Sequence, residues 1–458
     1  MPLFEIFNKE PSFSLTGLSF LYVFLPLLLA GYIVLPKGWR AGFLLAVSVG
    51  YYLLVGAQPS ALGLMAGSAA LDYGAVWVLG QLGEDRRSLR RAVLWASLGK
   101  GAVLFAAVGF WSRQQTIPLL LGVMVVIFSG MGAVAEGYRH ETGDKVNPIT
   151  FALYLFFFPR LHFGPFCTYK HFAGQLAEPK TGKSAMLTAF GGYLAGAFKA
   201  LVLGGGLAGI YGQLRGFGPE EATILSHWLA LLCFAMALYF LLAGFCEMAR
   251  GLALLLGIAL PSGFYYPYQS RNITDFSQRF QATLGQLLRR YLFPADGKAV
   301  HPPGNVCFAV LWGAILGLSF GFRLNYLLWG LYLAAFLLLE NYVYPRVLAA
   351  IPVFLGRVYA FTVVLLGFTL LAGDSLGETF AIWQGLLGLG ATGDGWINDN
   401  LLYLLDSNWL LLGAGAVLCT SLADVAGRWL EHILPRASRV GYVLVSGVVL
   451  VLYTALSF

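Results

Sequence analysis

The chain of 458 residues is 58% hydrophobic and 11% charged, with a mean hydropathy of +0.73. A soluble domain carries about a quarter of its residues as charges, so this composition excludes a soluble globular protein and reads as an integral membrane protein. The net charge of +7 lies in short loops between apolar runs, where basic residues set orientation and meet anionic lipid headgroups; membrane lipid is an expected partner and nucleic acid is not.

The first apolar run, 15–35, is long enough to span, and it has no basic stretch before it and no small-residue cleavage site. It reads as a span rather than a cleavable signal. Further spans are expected near 41–58, 60–82, 92–111 and 117–136, since a helix needs about 20 residues to cross the hydrocarbon core. Positive charge falls in Lys37 to Arg40, in the cluster Arg86, Arg87, Arg90 and Arg91, and between Arg139 and Lys145, whereas Gln58-Pro59 carries none. This alternation places the basic loops in the cytoplasm and the N-terminus outside. Lys100 lies inside the fourth span, where it either marks function, snorkels toward the Arg91 end or faces a wet cavity. The five cysteines, Cys167, Cys233, Cys246, Cys307 and Cys419, show no paired spacing and read as small buried apolar residues rather than disulfides or metal ligands.

The motif-bearing part follows. Residues 122–139 end in Glu136, Tyr138 and Arg139, with Ser129 the one hydroxyl in their middle. Between 152 and 176 stand Phe158-Pro159, Gly164-Pro165, Tyr169-Lys170, Phe172 and Gln175-Leu176. Two X-Pro steps break a helix, and the freed backbone groups are tolerated at membrane depth only inside protein or beside a wet cavity, so a packed re-entrant element is expected. It carries Arg160, His162 and His171, and a histidine beside an arginine is more often a structural hydrogen-bonding group than a base. Lys199 follows in 191–207. Glu247 and Arg250, within 238–267, make an i,i+3 pair. An amphipathic stretch, 269–293, holds Arg271, Phe280-Gln281 and Arg289-Arg290. Asn305 then precedes two apolar helices, 311–340, joined at Gly321-Phe322-Arg323. Apolar spans resume near 350–371, 408–426 and 440–458, and the basic stretch from Arg428 to Arg439 puts the C-terminus outside.

These segments resemble the membrane-bound O-acyltransferase family, in the branch of alginate O-acetyltransferases and the teichoic-acid D-alanyl transferase. The resemblance implies an all-α polytopic bundle with re-entrant and amphipathic segments around a central tunnel, with about 11–13 membrane segments. It implies a single domain over 1–458: peripheral spans in about 1–140, a core in about 147–345 and C-terminal spans in about 350–458. Arg160, Tyr169, Lys170, Lys199, Arg271, Gln281, Arg289 and Asn305 fall at tunnel or motif positions. In the family, an acyl group from a cytoplasmic thioester donor, on an acyl carrier protein or CoA, passes to a hydroxyl on an extracytoplasmic acceptor, often through a partner protein. A histidine acts as general base, a role that contributes roughly 10²–10⁴-fold. The two family histidine positions are occupied here by Leu316 and Leu333. Family polar positions are also apolar or altered at Leu241, Phe280-Gln281, Arg290 and Leu371. No resident cofactor or metal is expected.

Two readings follow. In one, the protein is an O-acyltransferase of surface-polymer modification in a bacterial-type inner membrane, with Glu247 or His162 supplying the base. In the other, it is a catalytically inactive member that scaffolds such a complex or binds lipid in the former tunnel, and the interior beside Leu316 and Leu333 is dry or lipid-filled. A transporter is disfavoured because paired inverted repeats are not evident.

Overall fold

The computed structural model describes residues 15–422 except 16, 18, 57–58, 113–117, 143–145, 161–163, 180–181, 219, 293–301 and 390–395, together with 425 and 448. The reading of 440–458 as a span and the basic stretch before it lie outside the described residues, as does His162. The described elements are helical. In chain order the N-terminal layer holds α1 (Phe20–Val34, its first turn π-helical), α2 (Lys37–Leu54), α3 (Pro59–Gln81), α4 (Arg87–Ser112) and α5 (Pro118–Tyr138). These coincide with the five expected spans to within a few residues. Seven described helices are long and apolar enough to cross a membrane, and three shorter apolar ones accompany them.

Charges inside this layer are matched between helices. Lys100 of α4 does not snorkel; its Nζ lies 2.5 Å from Asp72 Oδ2 on α3 and 2.9 Å from Ser68 Oγ, while Ser97 Oγ donates to Asp72 Oδ1 at 3.0 Å. A Cβ on Gly130 of α5 would overlap the Asp72 carboxylate, so the glycine makes room for it. Arg90 is 3% exposed. Its guanidinium donates to the Leu79, Leu82, Gly137 and Tyr138 carbonyls at 2.6–3.2 Å, closing the C-terminal ends of α3 and α5, where a cation is favoured.

The core begins with α6 (Pro148–Phe156), whose N-terminus is capped by Asn147. A single 3₁₀ turn at Phe158–Arg160 follows, and α7 (Tyr169–Ala177) comes next. The broken segment is interior, as its prolines require: Phe158 and Arg160 are fully buried, and Pro159, Gly164 and Pro165 are buried as well. α8 (Lys183–Ala197) runs through a π-helical stretch, Phe198–Gly205, into α9 (Gly206–Arg215). This run packs on the central α10 (Ile224–Leu255), which is the most buried of the span-length helices. The contact is made of glycine: a Cβ on Gly196, Gly244 or Gly251 would stand 2.6 Å from backbone atoms of the facing helix, the close approach that small residues permit between membrane helices.

Two amphipathic helices, α11 (Ile273–Arg279) and α12 (Ala282–Leu292), lead to the expected pair, α13 (Pro302–Ser319) and α14 (Leu324–Tyr342). This pair is also glycine-seamed. A Cβ on Gly330 would overlap the Gly313 carbonyl, and one on Gly317 would overlap the Tyr326 carbonyl. α15 (Pro345–Ala350), α16 (Val353–Ala372), α17 (Leu376–Leu386) and α18 (Asp399–Leu418) complete the described fold.

Candidate functional site

Glu136 closes α5 at 1% exposure, and its two carboxylate oxygens each accept a backbone N–H at 3.0 Å, from Tyr169 and Lys170. The acidic residue of one motif thereby caps the helix that opens the next. Glu340 does the same at the end of α14, accepting from Ile273 N, Thr274 N and Thr274 Oγ1 at 2.6–2.9 Å. These caps fix α7 and α11 against the long helices, and α7 forms part of the wall of one of two cavities.

The larger cavity has a volume of about 510 Å³ and is walled by Phe166, Cys167, Thr168, His171, residues 259–261, Thr283, Gln286, Leu287 and Arg290. Arg290 pairs with Glu141, in the loop after α5, so the cavity lies toward the face of the basic loops. The smaller has a volume of about 20 Å³ and is walled by Met124, Val125, Phe128, Phe166, Gln281, Leu284 and Ser319. Met124 lies twelve residues before Glu136, about 18 Å along a helix, so this space is deep in the bundle. Its volume suits one water, which needs about 10–15 Å³. Phe166 stands on both walls.

Leu316 and Leu333 are both fully buried in one apolar cluster with Trp312, Trp329 and Phe368. Trp312 and Trp329 lie one turn before them on the same helix faces, and neither buried indole N–H has an acceptor among the described residues. Each such group costs about 1–3 kcal/mol. Phe320, one turn after Leu316, is also buried and packs 5.4 Å from the Trp329 ring, and no histidine occurs between His301 and His432. Three other polar groups of the pair are engaged: Ser319 Oγ with the Ile315 carbonyl, Asn325 Nδ2 with the Leu370 and Gly373 carbonyls, and Tyr332 OH with the Val363 carbonyl.

The positions singled out in the sequence do not converge. Glu247 pairs with Lys199 at 2.6 Å, not with Arg250, whose Nε donates instead to the Leu260 carbonyl. Neither Glu247 nor Lys199 lines a described cavity. Arg160 is fully buried; it donates to the Tyr154 carbonyl and to Cys167 Sγ and stacks over the Tyr154 and Phe172 rings. Tyr169 is buried, whereas Lys170 is exposed. Arg271 is exposed beside Asp275, Arg289 lies 4.3 Å over the Phe308 ring, and Asn305 is part-buried in the first turn of α13. Gln281 alone of these lines a cavity, the small one, with a positive φ of 51° that favours glycine. Residues that sequence reasoning passed over are Cys167, Thr283 and Ser319. Cys167 carries a signal beyond that of a small apolar residue, its place two residues after the second X-Pro step.

Buried ion pairs, helix breaks held inside protein and glycine-seamed spans define a multi-pass helical membrane protein with an interior cavity at one face. The membrane-bound O-acyltransferase family model matches residues 109–368, more than half of the chain, and the protein belongs to that family. Among its relatives, the probable alginate O-acetylase AlgI of Azotobacter vinelandii is 25% identical over 397 residues, covering 81% of this chain and 77% of that protein. The peptidoglycan O-acetyltransferase of Helicobacter pylori is 28% identical over 255 residues, covering 53% and 47%. The teichoic acid D-alanyltransferase of Bacillus subtilis is 24% identical over 234 residues, covering 48% and 59%.

Proposed function

We propose that this chain serves the O-acylation of a cell-surface polymer at a bacterial cell membrane, as a family member without an O-acyl-transfer centre in its core pair. Its role is to scaffold the complex or to hold an acyl or lipid group. The surface-polymer part is supported by the relatives, whose names specify alginate, peptidoglycan and teichoic acid. The observation that carries the rest is the filled core: Leu316 and Leu333 are fully buried among aromatic rings, and the adjoining space of about 20 Å³ admits a water but not a sugar hydroxyl with its ring. The donor is an acyl thioester on a carrier protein or CoA, delivered from the basic-loop face, which is cytoplasmic; the acceptor and a partner transferase lie outside.

A second reading, a transferase with a relocated base, is favoured by one feature, the cavity of about 510 Å³ with His171 on its wall. The two part in one assay. Purified protein in nanodiscs, given acetyl-CoA and polysaccharide fragments, is expected to produce no glycan O-acetylation above background. Turnover that His171→Ala, His162→Ala or Glu247→Gln lowers by about 10²-fold or more establishes the second reading instead.

A further inference from the structure

We infer that the small cavity is a water site built around the Gln281 carboxamide, and that the Phe166 ring is the gate through which it fills from the larger cavity. The inference goes beyond the reading above and needs neither its donor nor its acceptor.

Gln281 carries the site. It is 3% exposed and stands on the wall of the small cavity, and its carboxamide has no hydrogen-bond partner among the described residues. The hydroxyl of Thr283 and the indole nitrogens of Trp312 and Trp329 are closed off on every side; the Gln281 amide is not among such atoms and opens into the cavity. The backbone holds it in that aim. With φ at 51°, Gln281 sits in the left-handed region, which persists only where the surroundings over-determine it. Here they do: Phe280 N donates to the Phe276 carbonyl and Ala282 N to the Gly263 carbonyl, both at 2.8 Å, and the Gln281 carbonyl accepts from Leu284 N at 3.0 Å. A carboxamide both donates and accepts. Ser319, on α13, gives its own proton to the Ile315 carbonyl at 2.6 Å and keeps lone pairs that can accept one. The amide oxygen, the amide nitrogen and the hydroxyl oxygen together offer about three partners, the usual number for a buried water. A volume of about 20 Å³ excludes a larger ligand.

The gate follows from what separates the two spaces. Phe166 stands on both walls and packs against both hydrophobic clusters of the molecule. It lies in the irregular stretch between the 3₁₀ turn and α7, and no described backbone hydrogen bond involves it. The chain is anchored on either side instead: Gly164 N donates to the Arg160 carbonyl at 3.1 Å, and Tyr154 OH donates to the Cys167 carbonyl at 2.9 Å. The half-buried ring meets Phe128 edge-on at 6.4 Å. A change of side-chain rotamer, with the backbone in place, therefore joins the deep space to the cavity at the basic-loop face.

The test uses the full chain in nanodiscs and the thiol reagent aminoethyl methanethiosulfonate, with peptide mapping to separate introduced from native cysteines. Ser319→Cys is expected to react slowly beside Phe166 and faster with Phe166→Ala. An open state populated at about 0.1–10% makes the difference about 10–10³-fold. Gln286→Cys, exposed on the outer wall, is expected to react at one rate in both backgrounds; if it does not, the fold is disturbed and Phe166→Leu is read in place of Phe166→Ala. Equal rates at Ser319→Cys with and without the ring, or no reaction in either background, overturn the gate. The water is read separately, in a wild-type density map fine enough to show ordered solvent. A peak within hydrogen-bond distance of both Gln281 and Ser319, lost in Gln281→Leu, is expected. A map of the same quality without that peak overturns the site.

Discussion

Glu340 sits at 3% exposure and holds three donors at the start of α11. Glu340→Ala leaves them buried without an acceptor and is expected to cost about 3 kcal/mol, read as a lower melting temperature in detergent; Glu340→Gln, which keeps one acceptor, costs less. The Asp72–Lys100 pair makes a sharper case, because Asp72 is fully buried. Lys100→Met strands that carboxylate and is expected to cost about 3–5 kcal/mol, whereas the double variant Asp72→Asn, Lys100→Met regains most of it. A double variant no more stable than Lys100→Met would show that the pair is not the unit. Lys100 was visible in the sequence as a charge within an apolar run. Its partner was not, because a pairing 28 residues away on another helix leaves no trace in local periodicity. The roles of Glu136 and Glu340 are hidden for a related reason: their work is done on the backbone of a different segment, and only Glu136 stands out in the sequence, by its type at the end of a motif.

At the scale of elements, hydropathy located the N-terminal spans, but it set a span near 408–426 where α18 runs Asp399–Leu418, and the positions of glycine within the spans carry packing information that hydropathy does not use. Gly330→Ala forces α13 and α14 apart at the Gly313 carbonyl and is expected to cost about 3 kcal/mol. Gly67→Ala in α3 meets nothing within 4 Å, and with helix propensity favouring alanine by about 1 kcal/mol it is expected to be neutral or stabilising. Thermal unfolding of the two variants side by side checks the contrast, and equal shifts would mean that the seam is slack. α17 and the continuity of α8 through the π-helical stretch into α9 escaped the sequence reading. The first is an 11-residue helix capped by Ser375, too short to register as a span; the second is interrupted by three successive glycines, Gly204 to Gly206, which normally signal a break. The site was less legible than the fold, because cavity walls are assembled from α7, the 259–261 loop and α12, which are far apart in the chain.

At the scale of the whole molecule, the contacts of Arg90 with Gly137 and Tyr138 join the start of α4 to the end of α5, so the second and third basic loops share one face, as the alternation of charge predicts. Cysteines introduced singly at the exposed Ser60 and Ser88 test which face it is: an impermeant reagent on intact cells is expected to label Ser60→Cys and to miss Ser88→Cys. The reverse pattern would invert the molecule. The burial of Arg90 adds a matter of timing. Orientation is decided while the chain is being inserted, before α3 and α5 stand side by side, and at that moment Arg90 is one of four equivalent charges with Arg86, Arg87 and Arg91. Once the bundle closes, Arg90 is withdrawn from the surface and its charge serves four carbonyls. On the proposed orientation, with the basic loops in the cytoplasm, one residue acts twice during biogenesis, first as a retention signal and later as a clasp. Arg90→Gln should therefore leave the labelling pattern unchanged while lowering stability, and neutralising Arg86, Arg87 and Arg91 together should disturb orientation while sparing the clasp.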